Sequence, residues 1–358
     1  MPATTWPSRG TCPTEEEICA FIAGAFRKED DQERLLLHLD ACENCRHLIS
    51  EAAHAAHGPG IAATGNISTF AEGQVLLDRY RIGRFLARGG MGEVYLADDL
   101  LLEERVALKT LSCTALDDPR AAFRFKAEAR LARRVTHPNI CRILEFGVQT
   151  CARPDGLTDS IPFLTMEFLA GETLARRVQR RGRMKDADAV PVLKQVVAGL
   201  QAIHSCGIVH RDLKSENVFL VPEPRGGERV VVMDFGLARS IDGSVVSTWP
   251  LARVLAGTLD TMAPEQIEGR HPEPAVDIFA FGVLAFEVLT GRRPFVDVAP
   301  IKRLHDRAPA PSTVVPDLHP RWDRIIGHCL EIEPANRYAS LTDLAAALTR
   351  AQRPVAGP

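Results

Sequence analysis

Two short runs carry the reactive groups of this 358-residue chain. His210-Arg211-Asp212-Leu213-Lys214-Ser215-Glu216-Asn217 offers a carboxylate, a lysine and a carboxamide, and Asp234-Phe235-Gly236 adds a second carboxylate. Transfer of a phosphoryl group from ATP to a hydroxyl needs such a set. One carboxylate must accept or orient the hydroxyl proton and another must hold magnesium. An amide oxygen can add a metal ligand, and a lysine can neutralise charge on the moving group.

Those runs must be held by elements of the fold. Apolar Ile208-Val209 precedes the first and Val230-Val231-Val232-Met233 the second, so both read as turns that follow buried strands. Residues 82–109 read as a strand, a glycine turn and two further strands. The turn is Ala87-Arg88-Gly89-Gly90-Met91-Gly92-Glu93-Val94, and the last strand is Val106-Ala107-Leu108-Lys109. Glycines let backbone N–H groups come close to phosphates, Val94 can cover an adenine, and Lys109 can reach the α- and β-phosphates. A helix is expected over roughly Pro119 to Val135, with Phe123, Ala127, Leu131 and Val135 on its apolar face. Glu128 in its middle is the expected anionic partner of Lys109. The polar stretch Gln149 to Ser160 reads as a hairpin loop.

The order of these motifs, closed by Ala263-Pro264-Glu265, resembles a protein kinase of the bacterial, eukaryotic-like Ser/Thr type. The resemblance covers about three quarters of the chain. It implies an α+β, bilobal fold: a kinase domain over 74–348, with a β-rich N-lobe over about 74–169, a helical C-lobe over about 170–348 and a tail over 349–358. Roles follow by position. Asp212 faces the substrate hydroxyl and Lys214 stabilises the transferring group, in the Ser/Thr variant of the spacing. Asn217 and Asp234 hold Mg²⁺, and Lys109 with Glu128 serves the ATP phosphates. Glu167 and Leu169 in Thr165-Met166-Glu167-Phe168-Leu169 form the hinge against adenine, with Met166 as gatekeeper. The resemblance also implies a buried Glu265–Arg337 ion pair, and an Asp277 that tethers the catalytic-loop backbone.

Two positions depart from the pattern. Ala87 stands where the first loop glycine is usual, and Thr261 where an aromatic residue is common. Alanine is harmless there if the backbone is ordinary β and costly if φ is positive. Arg211 is expected to meet a phosphate on the segment between Asp234 and Glu265, whose hydroxyls are Ser244, Ser247, Thr248, Thr258 and Thr261. Autophosphorylation is expected at Ser247 or Thr248, with Thr258 on the substrate side.

Residues 1–51 read as a separate helical unit, joined by a linker over 52–73 that is rich in Ala, Gly, His and Thr. His38, Cys42 and Cys45 fall on one face if the helix after Asp31 continues. With Cys12, or alternatively Cys19, they could complete a four-ligand Zn²⁺ site. The pattern resembles an anti-sigma-factor-type zinc finger, which implies a docking module for a partner protein or a thiol redox sensor.

Composition sets outer bounds. Hydrophobic residues make up 46% of the chain, enough for a sizeable core. A net charge of −3 gives no sign of nucleic-acid binding. Nine cysteines without a disulfide-framework spacing suit a reducing compartment. No signal peptide is visible, and the apolar run Ile278 to Leu289 is too short to span a bilayer and carries Glu287. The expectation is a cytoplasmic enzyme in signal transduction that phosphorylates protein substrates. A pseudokinase scaffold, which captures a partner through the finger, is the alternative; the intact set Lys109, Asp212, Asn217 and Asp234 speaks against it.

Overall fold

A computed structural model describes residues 69–89, 92–110, 126, 129–152, 158–234, 261–268, 270, 273–295 and 304–352. The zinc-ligand candidates Cys12, Cys19, His38, Cys42 and Cys45 lie outside these residues. So do Gly90, Met91, Glu128, Ser244, Ser247, Thr248 and Thr258.

The small lobe is one antiparallel sheet. Strands β1 (Val75–Leu76), β2 (Tyr80–Gly89), β3 (Gly92–Asp99), β4 (Glu104–Thr110), β5 (Ile143–Ala152) and β6 (Thr158–Glu167) lie in the order β1-β2-β3-β4-β6-β5. Alternation decides which face is wet. On β3 and β4, Tyr95, Ala97, Val106 and Leu108 point to one side, where they join Phe70, Leu76, Tyr80, Ile82, Ile161 and Phe163 in a small core. Phe70 belongs to the stretch expected as linker, yet it is 1% exposed. Burying a phenylalanine contributes about 1.5–3 kcal/mol, so the folded unit begins before its first strand.

The expected loop from Gln149 to Ser160 is instead mostly strand. Gln149 pairs with Ile161, Thr150 with Ser160, Cys151 with Asp159 and Ala152 with Thr158. β5 is an edge strand, so its outward side chains can be polar without cost to the ladder. Ahead of β5, residues 129–132 are helical and bury Ala129, Ala132 and Val135, while Leu131 is half-buried. The apolar face thus runs through the alanines, because small side chains let the turn sit close to the core.

The large lobe packs helices beneath a second sheet. β7 (Glu172–Thr173), β8 (Val218–Pro222) and β9 (Glu228–Val232) pair in the order β7-β8-β9. Helix α1 (Leu174–Arg181) starts at Thr173, whose hydroxyl caps Arg176 N–H at 3.1 Å. Helix α2 (Asp186–Ser205) follows, then short α3 (Pro264–Ile267), α4 (Ala275–Thr290), short α5 (Pro311–Val314), α6 (Arg321–Cys329) and α7 (Leu341–Gln352). α4 is apolar on nearly every face and buried accordingly, as expected for the run Ile278 to Leu289. Gly282 lets α4 touch α6: a Cβ there would lie 2.7 Å from Cys329 Cβ. Gly291 ends α4 at φ 82°, in the left-handed region. Among the described residues, no helix is long and apolar enough to cross a membrane.

Candidate active site

The cleft is lined by the ends of β4, β6 and β9 and by the loop between α2 and β8. Lys109 stands near the end of β4, in register with Val94 on one side and Leu164 on the other. Its side chain is buried and its Nζ lies 2.7 Å from Asp234 Oδ1. Burial alone would push the Asp234 carboxyl up. The adjacent Lys109 ammonium, with the charges of His210 and Lys214 behind it, outweighs burial and holds it below the ordinary carboxylate range. Asp234 therefore stays anionic although it is only partly exposed.

The loop from His210 to Asn217 is fixed from below. Asp277, in the first turn of α4, is fully buried. Its Oδ2 accepts from His210 N–H and its Oδ1 from Arg211 N–H, both at 2.8 Å. His204, near the end of α2, meets the same carboxylate at 2.7 Å. His210 then staples this loop to the next one. Its Nε2 donates to Met233 O at 3.0 Å, so Nδ1 is the acceptor, and Asp212 N–H reaches it at 3.3 Å. Arg211 and Asp234 adopt φ of 67° and 58°, costly for side chains of their kind. Strain of this type persists where surrounding bonds over-determine the backbone.

Within the loop, Lys214 Nζ lies 3.1 Å from Asp212 Oδ2. Asn217 Nδ2 donates to Asp212 O at 2.8 Å and to Oδ2 at 3.1 Å. With both amide hydrogens engaged, the Asn217 carbonyl oxygen is its remaining lone-pair donor. The backbone carbonyl of Asn217, a separate oxygen, accepts Met233 N–H at 2.8 Å, which sets this residue beside the chain that leads into Asp234. An anionic carboxylate and an amide oxygen are hard oxygen donors, so this pair fits Mg²⁺. Among the described residues no cluster of three or more His, Cys, Asp or Glu side chains could hold a metal.

The glycine hairpin joins β2 to β3, with Gly89 opposite Gly92 and Ala87 opposite Val94. Ala87 is not among the residues at positive φ, so its departure from glycine costs little. Met166 is buried on β6. Glu167 is more occupied than a hinge residue needs to be. Its N–H donates to Arg142 O and its Oε1 accepts Arg142 N–H, both at 3.0 Å, while Arg229 Nη2 reaches its Oε2 at 2.7 Å. Leu169 O accepts Gly171 N–H at 3.0 Å. The chain then passes so close to β8 that a Cβ on Gly171 would lie 2.1 Å from Leu220 O. Thr261 is buried, so it is not an accessible phosphate acceptor. In the large lobe, Glu265 and Arg337 meet through two bonds of 2.6 and 2.7 Å.

Sequence reasoning did not foresee His204, the His210–Met233 staple or Asp234 as the acid that meets Lys109. The first had a signal, a histidine at the end of an apolar-periodic helix just before the catalytic run.

A model of the protein kinase domain matches residues 80–348. The chain belongs to the protein kinase family. Serine/threonine-protein kinase pkn2 of Myxococcus xanthus is 38% identical over 283 residues, which are 77% of this kinase-family chain and 33% of that protein. Serine/threonine-protein kinase PknA of Mycobacterium tuberculosis is 35% identical over 287 residues, 79% of this chain and 64% of that one. The chain thus spans between a third and just under two thirds of these curated relatives. The crystal structure of the Mycobacterium tuberculosis PknI kinase domain has a TM-score of 0.61 at 25% identity, over 79% of this chain and 100% of that one. The bilobal kinase fold is therefore shared.

Proposed function

We propose that the chain is an ATP-dependent protein kinase that transfers the γ-phosphoryl group to Ser or Thr hydroxyls of proteins, in signal transduction. The observation that carries this reading is that Lys109 bonds Asp234 while Asn217, Asp212 and Lys214 bond one another, and the Met233 N–H on the Asn217 backbone carbonyl joins the two sets across the cleft. The two curated relatives bear Ser/Thr kinase names, which supports the choice of acceptor.

In this reading Asp212 orients the acceptor hydroxyl and takes its proton, and Lys214 neutralises charge on the passing phosphoryl oxygens. Lys109 binds the α- and β-phosphates, with Glu128 as a second anionic partner. The backbone from Ala87 to Gly92 covers the phosphates, Val94 and Met166 flank the adenine, and Leu169 N–H offers a hinge bond. Asp234 and the Asn217 carbonyl hold Mg²⁺, which when bound neutralises the phosphate charge. Most of the rate would come from positioning and charge stabilisation. The wild-type chain should label itself or a generic basic protein from γ-labelled ATP, and Asp212→Asn should not. Equal labelling by both would replace the enzyme with a binding scaffold.

Residues 1–51 are proposed to hold a structural Zn²⁺ through His38, Cys42, Cys45 and either Cys12 or Cys19, and to dock a partner protein. The support is the donor set and its helical spacing. Elemental analysis of protein purified under reducing conditions should find one equivalent of zinc, lost in Cys42→Ser. Among the described residues, Cys141, Cys206 and Cys329 are free thiols, which supports a reducing setting.

A further inference from the structure

One buried carboxylate has no part in the chemistry described so far. Glu93 follows the last glycine of the hairpin and is 6% exposed. A buried charge must be matched by partners, and those of Glu93 come from three separate parts of the chain. Arg88, directly across the hairpin, donates from Nε at 2.9 Å and Nη2 at 2.6 Å to Oε1. Oε2 accepts Thr69 N–H at 2.7 Å and also the Tyr95 hydroxyl. The backbone N–H of Glu93 donates to Thr110 Oγ1 at 3.2 Å, and Thr110 follows Lys109 on β4. The Tyr95 oxygen in turn accepts Phe70 N–H at 3.2 Å, while the two rings pack with centroids 6.1 Å apart. Burial alone would raise the Glu93 carboxyl. Bonds from Tyr95, Thr69 and Arg88 outweigh it and hold the group below its ordinary value.

The juxtaposition has a direction. Thr69 and Phe70 lie on the chain as it enters the domain, 24 and 25 positions before the groups they bond. An uncommitted surface stretch would leave those N–H groups to water. Here they end on the residue that closes the glycine hairpin and on the tyrosine bonded to it. A shift of the entering chain must break a charged hydrogen bond or pull Glu93, and with it Arg88 and the register of Gly89 against Gly92.

We propose that Glu93 is a positioning residue for nucleotide binding, which clamps the chain entering at Thr69–Phe70 to the glycine hairpin and to the strand that carries Lys109. The segment before the domain thereby gains a mechanical hold on the phosphate-binding loop. The proposal rests on the reading that this hairpin binds ATP.

Its test uses the full chain with Tyr95→Phe, Glu93→Gln and Thr69→Pro, the last of which deletes the N–H donor without touching the carboxylate. Calorimetric titration with the magnesium complex of a non-hydrolysable ATP analogue should show binding weakened about tenfold in each, equivalent to about 1.4 kcal/mol. KM for ATP should rise with it, while kcat at saturation changes by less than about twofold. Combining Thr69→Pro with Glu93→Gln should cost no more than the larger single effect, because both cut one clamp. Hydrogen exchange of the Arg88 and Glu93 amides, measured without nucleotide, should quicken. Tyr95→Phe keeps the ring in the core and carries the test if the others fold poorly. Affinity within about twofold of wild type alongside a lowered melting temperature would make Glu93 a stabilising residue alone and overturn the proposal. Unchanged exchange protection would do the same. A wild-type chain that binds no nucleotide would count against the kinase reading instead, with the exchange arm still deciding on the clamp.

Discussion

Lys109–Asp234 in the cleft and Glu265–Arg337 in the large lobe are both ion pairs with a buried cation, built to opposite ends. Arg337 is saturated. It meets both oxygens of Glu265 and donates further to Glu331 O at 2.8 Å, Ala275 O at 3.0 Å and Ile332 O at 2.9 Å, with its guanidinium 4.9 Å from the Phe279 ring centre. The pair is closed on every side. Among the described residues the cleft pair is joined by one bond, and the Asp234 side chain is 26% exposed. A saturated pair locks α3 to the first turn of α4. A pair held by one bond can exchange partners, as a residue must if it is to meet phosphate and a cation in turn. Buried charge is thus a fastening in one place and a reactive group in the other, and the number of partners tells them apart.

The largest effect expected from this contrast is on stability. Arg337→Ala should cost about 3–5 kcal/mol, because Glu265 would be left buried without its cation. Urea denaturation measures it, and a loss below about 1 kcal/mol would contradict the fastening role. Asp234→Asn should lower phosphoryl transfer about 10²–10³-fold, in the range found when one preorganised electrostatic group is removed. Its melting temperature should fall less than that of Arg337→Ala, because the Asp234 side chain is 26% exposed. A cleft variant that unfolds as Arg337→Ala does would erase the distinction.

Lys109→Met should flatten a pH slope. In the wild type the depressed Asp234 group contributes stability that is complete above its unfolded value near 3.8 and is lost as pH falls toward its lower folded value. Without the ammonium, only the weaker His210 and Lys214 charges oppose burial, the folded value rises, and that contribution to stability shrinks. The wild-type advantage in urea midpoint should therefore grow from acid toward neutral pH, by roughly 1–3 kcal/mol. An advantage independent of pH would mean that Lys109 does not govern Asp234. The smallest effect serves as the control. Arg183 meets Asp317 at 3.0 Å with the aspartate 74% exposed. Arg183→Ala should change stability by no more than about 0.5 kcal/mol.

How much of this could be read from the chain depends on the reach of each interaction. The reactive groups of the His210–Asn217 run were legible because they are local: their types and spacing already state a chemistry. The buried α4 was legible because it is apolar on every face. The Lys109–Asp234 contact joins residues 125 positions apart, and no periodicity encodes it. Glu128, the acid on the next expected helix, lies outside the described residues. Gln149 to Ser160 was misread because a polar edge strand has the composition of a loop, and only its pairing with a neighbour separates the two. Phe70 gave no local signal either; its burial depends on Tyr95, a strand and a half away.

The bond from His210 to Met233 has a consequence for how the crevice can open. It ties the floor together: the turn with Asp212 and the turn with Asp234 are fastened to one imidazole, which sits on the main chain held by Asp277. Opening cannot spread these two groups apart without rupturing that joint. The travel must be taken up by the roof, so loading and release amount to a lid lifting from a rigid tray, with Lys109 as the latch between them.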